Sequence, residues 1–197
     1  MSTIKQAEKI GVTDYLNSEL KSDLKHEYMD GQVYAMAGAS EQHNTISANI
    51  LTEIKNGLKQ DESQCKAYMS DMKVKVNEFI FYYPDLVVSC HDDSENEYYR
   101  TSPVLIVEVL SASTRKKDRT EKRIYYQNMP SVKEYVLIEQ ERCETEVSRK
   151  SDNWRSLFYY LGDDINLESI GITLSVEDIY YQTGLNDLKL YLQNGND

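Results

Sequence analysis

The chain has 197 residues, 40% of them hydrophobic and 28% charged, the balance of a folded domain with a substantial core and not of a disordered segment. Its formal net charge of -11 makes the surface as a whole a poor match for tight non-specific nucleic-acid binding, which runs on Lys and Arg against phosphate. No apolar stretch reaches membrane-spanning length and the N-terminus MSTIKQAEKIG lacks the apolar core of a signal peptide, so a cytoplasmic protein is expected, with Cys65, Cys90 and Cys143 as free thiols.

Residues 13–21 read as a short helix with Thr13 as its N-cap. HEYM-DG-QVYAM then places Asp30-Gly31 between two β-prone runs, the signal of a tight hairpin. Gly38 to Ser40 breaks the chain before a helix that runs to about residue 60, with Ile46, Ile50, Ile54 and Leu58 on one stripe. CKAYMSDMKVKV and FIFYYPDLVVSC read as two successive strands joined near Asn77-Glu78, and His91 to Arg100 as a polar loop. The stretch CHDDSENE resembles a metal cluster only in composition and reads as part of that loop.

PVLIVEVL is apolar on both faces, as a covered central strand is. A helix from about Thr114 to Asn128 is stopped by Pro130. EYVLIEQ, ETEVSRK and WRSLFYYLG read as further strands, the later ones nearer an edge, and SVEDIYYQ as a short closing helix capped by Ser175. No internal repeat or Pro/Gly-rich linker divides the chain, so one mixed α/β domain with a central sheet is expected over 1–197.

Two acids stand where a charge is expensive. Asp85 follows Pro84 at the head of an apolar run, and Glu108 shares its strand face with Val104, Ile106 and Leu110. An unpaired carboxylate there costs several kcal/mol or protonates. A buried salt bridge or a protonated acid would answer for either one alone. Two on neighbouring strands, roughly 4.8 Å apart, can share one cation, and all-oxygen ligation suits Mg²⁺ or Mn²⁺.

The segments PDLVV, EVLSAST, DRTEKRIYYQNM and VKEYVLIE, with HEYMDGQVYAMAGAS and HNTISANIL upstream, resemble the Uma2 family of restriction-endonuclease-like proteins within the PD-(D/E)XK nuclease superfamily. The resemblance covers most of residues 24–140. It implies a restriction-endonuclease-like α/β/α core with a mixed central sheet and an N-terminal hairpin, the C-terminal strands and short helix (141–197) lying beyond that core. It also implies Mg²⁺-dependent cleavage of DNA phosphodiesters, with Asp85 and Glu108 as the metal-binding acids.

The superfamily's lysine falls two residues after the second acid, where this chain has Leu110. The following helix offers Lys122, spaced with Asp118 and Tyr126 at i, i+4 and i+8, to orient or deprotonate the attacking water or to neutralise transition-state charge. The carbonyl of Val109 joins the two acids as the third expected metal ligand. Glu27, His43 and Asp118 are supporting candidates, with Asn44 beside His43 and Asp71 as a weaker one.

Arg115, Lys116, Lys117 and Arg119 open a basic run that ends in Lys122 and Arg123. A solvated helix face is the plain reading of such a run; the resemblance makes these residues the grip on a DNA backbone. Cutting two strands with one site per chain makes a homodimer an expectation. Two other functions stay open: a module that kept the fold without the chemistry, and an enzyme acting on RNA or on single strands, which needs less basic surface.

Overall fold

A computed structural model describes residues 9–91 and 96–194 of the chain. Helix α1 is Val12–Glu19; it starts at an N-cap Gly11 that makes no side-chain cap bond, so Thr13 lies within its first turn and is not the cap. Strands β1 (His26–Met29) and β2 (Gln32–Ala35) form the expected hairpin, with Met29 opposite Gln32. Asp30 and Gly31 both carry positive φ, 47° and 90°, which the two-residue turn between right-twisted strands requires. Helix α2 is Glu41–Gln60, and the Ser40 hydroxyl caps it by accepting from the His43 N–H at 3.1 Å.

Each of the two long strands expected between Cys65 and Cys90 is divided. The chain forms β3 (Lys66–Met69), β4 (Lys73–Asn77), β5 (Ile80–Tyr82) and β6 (Leu86–Ser89). A turn closed by Met72 N–H to the Met69 carbonyl separates the first pair. Pro84, which has no N–H to give a ladder, lies in the break between the second pair. The antiparallel β4–β5 pair therefore belongs to a different sheet from β3 and β6. Asp85 sits where the chain returns.

The polar loop after β6 ends in a short β7 (Tyr99–Arg100) parallel to β4; Asp92, Asp93, Ser94 and Glu95 of that loop lie outside the described residues. One sheet has the order β2-β1-β5-β4-β7. The other adds β8 (Leu105–Leu110), β9 (Glu134–Glu139), β10 (Glu144–Arg149) and β11 (Ser156–Tyr160) in the order β11-β10-β9-β8-β6-β3. Only β8 and β9 in it run parallel, so this central sheet is mixed and β11 is its edge. A hairpin of β12 (Asp164–Leu167) and β13 (Ile172–Ser175) and a last helix, Asn186–Asn194, were not anticipated. The helix Val176–Ile179, capped by Ser175, was.

The central sheet is covered on both faces. On one, Ile46, Ile50, Ile54 and Leu58 of α2 pack on Val88, Leu105, Val107, Val136 and Ile138, joined by the β12–β13 hairpin. On the other, Val87, Ile106, Leu110 and Leu137 meet Tyr126 and Met129 and the Val74, Ile80 and Tyr82 side chains of the second sheet. Tyr126 belongs to α3, a continuous helix of Arg115–Lys117, a π-helical Asp118–Lys122 and Arg123–Gln127. The architecture is the expected three-layer α/β/α core with an N-terminal hairpin.

The free-thiol expectation fails for two cysteines. Antiparallel β3–β6 pairing sets Lys66 opposite Ser89, which brings Cys65 and Cys90 together just beyond, where they form a disulfide. Spacing along the chain carries no trace of that proximity. Cys143 is free and buried. Among the described residues no helix is long and apolar enough to cross a membrane.

Ile50 is 1% exposed at the middle of the α2 stripe. Its replacement by Ala is expected to lower unfolding stability by about 2–4 kcal/mol, read as a shift of the urea midpoint at constant slope.

Candidate active site

The start of β6, the end of β8, strand β1 and the N-terminal turns of α2 and α3 surround a cleft of about 740 Å³. Glu27, His43, Asp85, Glu108, Asp118 and Lys122 all line it. The chain break at Pro84 puts Asp85 outside the ladder, so its carboxylate reaches across to β8 and accepts from the Val109 N–H at 2.7 Å. In return the Asp85 N–H donates to Glu108 Oε2 at 3.3 Å. Two acids far apart in sequence are thereby locked side by side.

Glu108 points from the α3 face of β8 and is 2% exposed. Lys122 reaches it from the π-helical turn, with Nζ 3.0 Å from Glu108 Oε1. The same ammonium is 3.0 Å from Glu27 Oε1 and 3.4 Å from Asp118 Oδ1, the latter a charge contact without hydrogen-bond alignment. Glu27 is held a second time, by Lys117 at 2.7 Å. Lys117 and Lys122 lie 5.0 and 5.6 Å from the centre of the Tyr82 ring, whose negative face suits both.

Burial sets the ionisation of this cluster. It pushes the Glu108 carboxyl well above its ordinary value, with Lys122 opposing and Asp118 and Asp85 adding to the rise. Burial raises Asp118 in the same way. For Lys122 burial disfavours the charge, yet Glu108 and Glu27 outweigh it and hold the lysine well above its usual range. Lys122 is therefore an ammonium here, a donor and a positive charge and not a base. Burial likewise opposes the charged form of His43, but its bond to Asp85, Nε2 to Oδ2 at 3.2 Å, raises it on balance.

The donor set fits a hard divalent cation. Asp85 and Glu108 present carboxylate oxygens, and the Val109 carbonyl projects from the same side of the strand as the N–H that meets Asp85. Among the described residues no group of three or more His, Cys, Asp or Glu side chains is arranged to hold a metal. Mg²⁺ commonly takes one or two carboxylates and fills its other positions with water and phosphate oxygens.

The residues of the basic run take different places in the fold. Of Arg115, Lys116, Lys117 and Arg119, only Lys117 lines the cleft. Arg115 pairs with Glu139 at 2.7 Å, and Arg119 with Glu139 at 2.9 Å and Glu146 at 2.6 Å. Lys116 is exposed. Asp71 is exposed and pairs with Lys25 at 2.9 Å, outside the cleft. Lining residues that sequence reasoning missed include Lys25, Tyr34, Tyr83 and Gln140. Only the uncharged run YAMAGAS, residues 34–40, could have drawn attention to one of them.

A family model described as "Uma2: Putative restriction endonuclease" matches residues 12–177. The uncharacterized protein slr1290 of Synechocystis is 37% identical over 176 residues, covering 87% of this chain and 92% of that protein. A second uncharacterized Synechocystis protein, sll1609, is 29% identical over 144 residues, 71% of this chain and 80% of its own length. A crystal structure of a protein described as a putative nuclease belonging to DUF820, from Anabaena variabilis, superposes with a TM-score of 0.71 at 15% identity, over 88% of this chain and 99% of that one.

Lys122 and Lys117 overcome the burial of Glu27 and hold its carboxyl below the ordinary 4.5. A depressed folded value means that the ionised group stabilises the fold above the unfolded value and loses that contribution as pH falls through the folded one. Tm is therefore expected to fall more steeply on acidification below about pH 4.5 in the wild type than in Glu27→Gln, while the variant is the less stable of the two at neutral pH. Parallel melting curves for the two proteins across that range would count against the pairing.

Proposed function

The chain belongs to the Uma2 family, and from that membership and the chemistry of the cleft we propose that it is a Mg²⁺-dependent nuclease that cuts phosphodiester bonds within DNA. The observation that carries the reading is the adjacency of Asp85 and Glu108, joined by the 3.3 Å bond between them, beside a buried ammonium. Acids in water-poor surroundings that are neither fully neutralised nor left alone are the equipment of phosphoryl chemistry.

Asp85, Glu108 and the Val109 carbonyl would hold the cation. A divalent cation there supplies Lewis acidity toward the phosphate and lowers the pKa of an associated water. The residues of the chain do the rest. The Val109 N–H and the Asp85 N–H fix both carboxylates, so neither has to reorganise during reaction. His43 buttresses Asp85 from the first turn of α2. Lys122, kept charged by its neighbours, stabilises negative charge that builds on the phosphate oxygens and donates to the attacking water to orient it. The first turns of α2 and α3 face the cleft, and the positive ends of their helix dipoles favour phosphate without adding net charge.

A second reading has one observation in its favour: Lys122 already neutralises Glu108 and Glu27, as a binding module without chemistry would require. Titration calorimetry with Mg²⁺ and Mn²⁺ separates the two, because a module without a site shows no heat that Glu108→Gln abolishes.

The enzymatic test uses circular substrates, which have no ends. Circular duplex and circular single-stranded DNA are incubated with protein in Mg²⁺ and in EDTA. Cutting is expected in Mg²⁺ alone, falling at least about 100-fold in Asp85→Asn and in Glu108→Gln while circular dichroism shows both variants folded. Equal cutting by wild type and variants would refute the site, and no cutting of either circle in Mg²⁺ or Mn²⁺ would refute the activity.

A further inference from the structure

Residues 34–40, Tyr-Ala-Met-Ala-Gly-Ala-Ser, carry no charge, and every one of them lines the cleft that holds Asp85 and Glu108. Tyr34 projects from β2, the edge strand of its sheet, and is 39% exposed. Lys117 lies 5.2 Å from the centre of its ring, and the same ammonium binds Glu27, so Tyr34 is tied to the acid cluster through one cation. Met69, 37% exposed, lines the same space.

The cations that face this cleft are engaged. Lys25 is bound to Asp71, Lys117 to Glu27 and Lys122 to Glu108, at 2.9, 2.7 and 3.0 Å. A wall of one tyrosine, methionine and small apolar residues offers little to a phosphate backbone and much to the π-face of a base. Bases in a duplex have both faces stacked on their neighbours, whereas an unpaired nucleotide has faces to offer. The volume, about 740 Å³, is that of a pocket enclosing roughly one or two nucleotides.

We propose that the cleft receives an unpaired nucleotide of single-stranded nucleic acid, its base stacked on Tyr34 against Met36 and Met69 and its phosphate turned toward Asp85 and Glu108. The assignment rests on the nuclease reading for the identity of the ligand, and it adds the strandedness of the substrate and a residue that positions it. Tyr34 touches the base and takes no part in the proton transfers.

The test is binding, measured with Ca²⁺ in place of Mg²⁺. Fluorescence anisotropy compares a labelled single-stranded DNA oligonucleotide with the same strand in a duplex, for wild type, Tyr34→Ala, Tyr34→Phe and Tyr34→Trp. The single strand is expected to bind more tightly than the duplex. Tyr34→Ala weakens it by about 5- to 150-fold, and the two aromatic variants keep it. A 2-aminopurine placed in the strand loses fluorescence on binding wild type and keeps it with Tyr34→Ala. Duplex bound as well as single strand, no binding of either, or Tyr34→Ala binding like wild type would overturn the inference. Tyr34-dependent binding without cleavage in Mg²⁺ would sink the nuclease reading and leave this site standing; Mg²⁺-dependent cleavage indifferent to Tyr34 would do the reverse.

Discussion

The Lys122 ammonium is withdrawn from water and meets Glu108, Glu27 and Asp118 within 3.4 Å. Taking such an ion out of water costs several kcal/mol even after the protein relaxes, and the cost is offset only where geometry and hydrogen bonds are good. The partners come from β8, from β1 and from the helix that carries the lysine, so the two sheets and α3 must all be in place before the charge is satisfied. Satisfying the ion therefore ties the placement of these three elements to one another. A small displacement of any of them would leave a buried charge without its counterpart, and that penalty keeps the cleft in one shape.

The same rule governs the outer part of α3. Arg119 and Arg123 both reach Glu146 on β10, and Arg115 and Arg119 reach Glu139 on β9. Burial would raise the Glu146 carboxyl, but Ser156 and the two arginines hold it below its ordinary range. The helix is therefore pinned to the sheet by charge along one stretch and by Tyr126 along another, with Met129 just past its end adding to that packing. Arg115 and Arg119 are thus committed to the carboxylates of the sheet, and neither lines the cleft.

Much of the fold was legible in the sequence because periodicity and turn chemistry are local. The stripe from Ile46 to Leu58, the two-sided apolar run of β8 and the Asp30-Gly31 turn each state their structure within a few residues. The run from Cys65 to Cys90 misled because its β-prone residues continue across two sharp breaks, and alternation does not say to which sheet a strand belongs. The Cys65–Cys90 bond and the pairing of Arg119 with Glu146 are consequences of strand order, which no local pattern encodes. For the site, the buried acids could be found from their cost alone. The partners Glu27 and Lys122 needed the family resemblance, since an acid on a hairpin and a lysine on a helix are ordinary in isolation.

The position of the lysine follows from the same packing. Leu110, two residues beyond Glu108, points to the same face of β8 and is wholly buried in the cluster with Tyr126, Tyr135 and Leu137. An ammonium rooted there would start inside aromatic and aliphatic packing. Helix α3 crosses above this face, and its π-helical turn from Asp118 to Lys122 places both residues inward. The Tyr135 hydroxyl, rising from β9, donates to the Asp118 carbonyl at 2.9 Å and so supports the irregular turn from beneath. Such turns gather at functional sites because they re-aim side chains that a regular helix would stack elsewhere. The lysine thus arrives from above the strand and not along it, ending 3.0 Å from Glu108, while Leu110 remains free to close the core. The charge and the acid meet at 3.0 Å although one comes from a helix and the other from a strand, so the packing of α3 on β8, and not the alternation along β8, sets their distance.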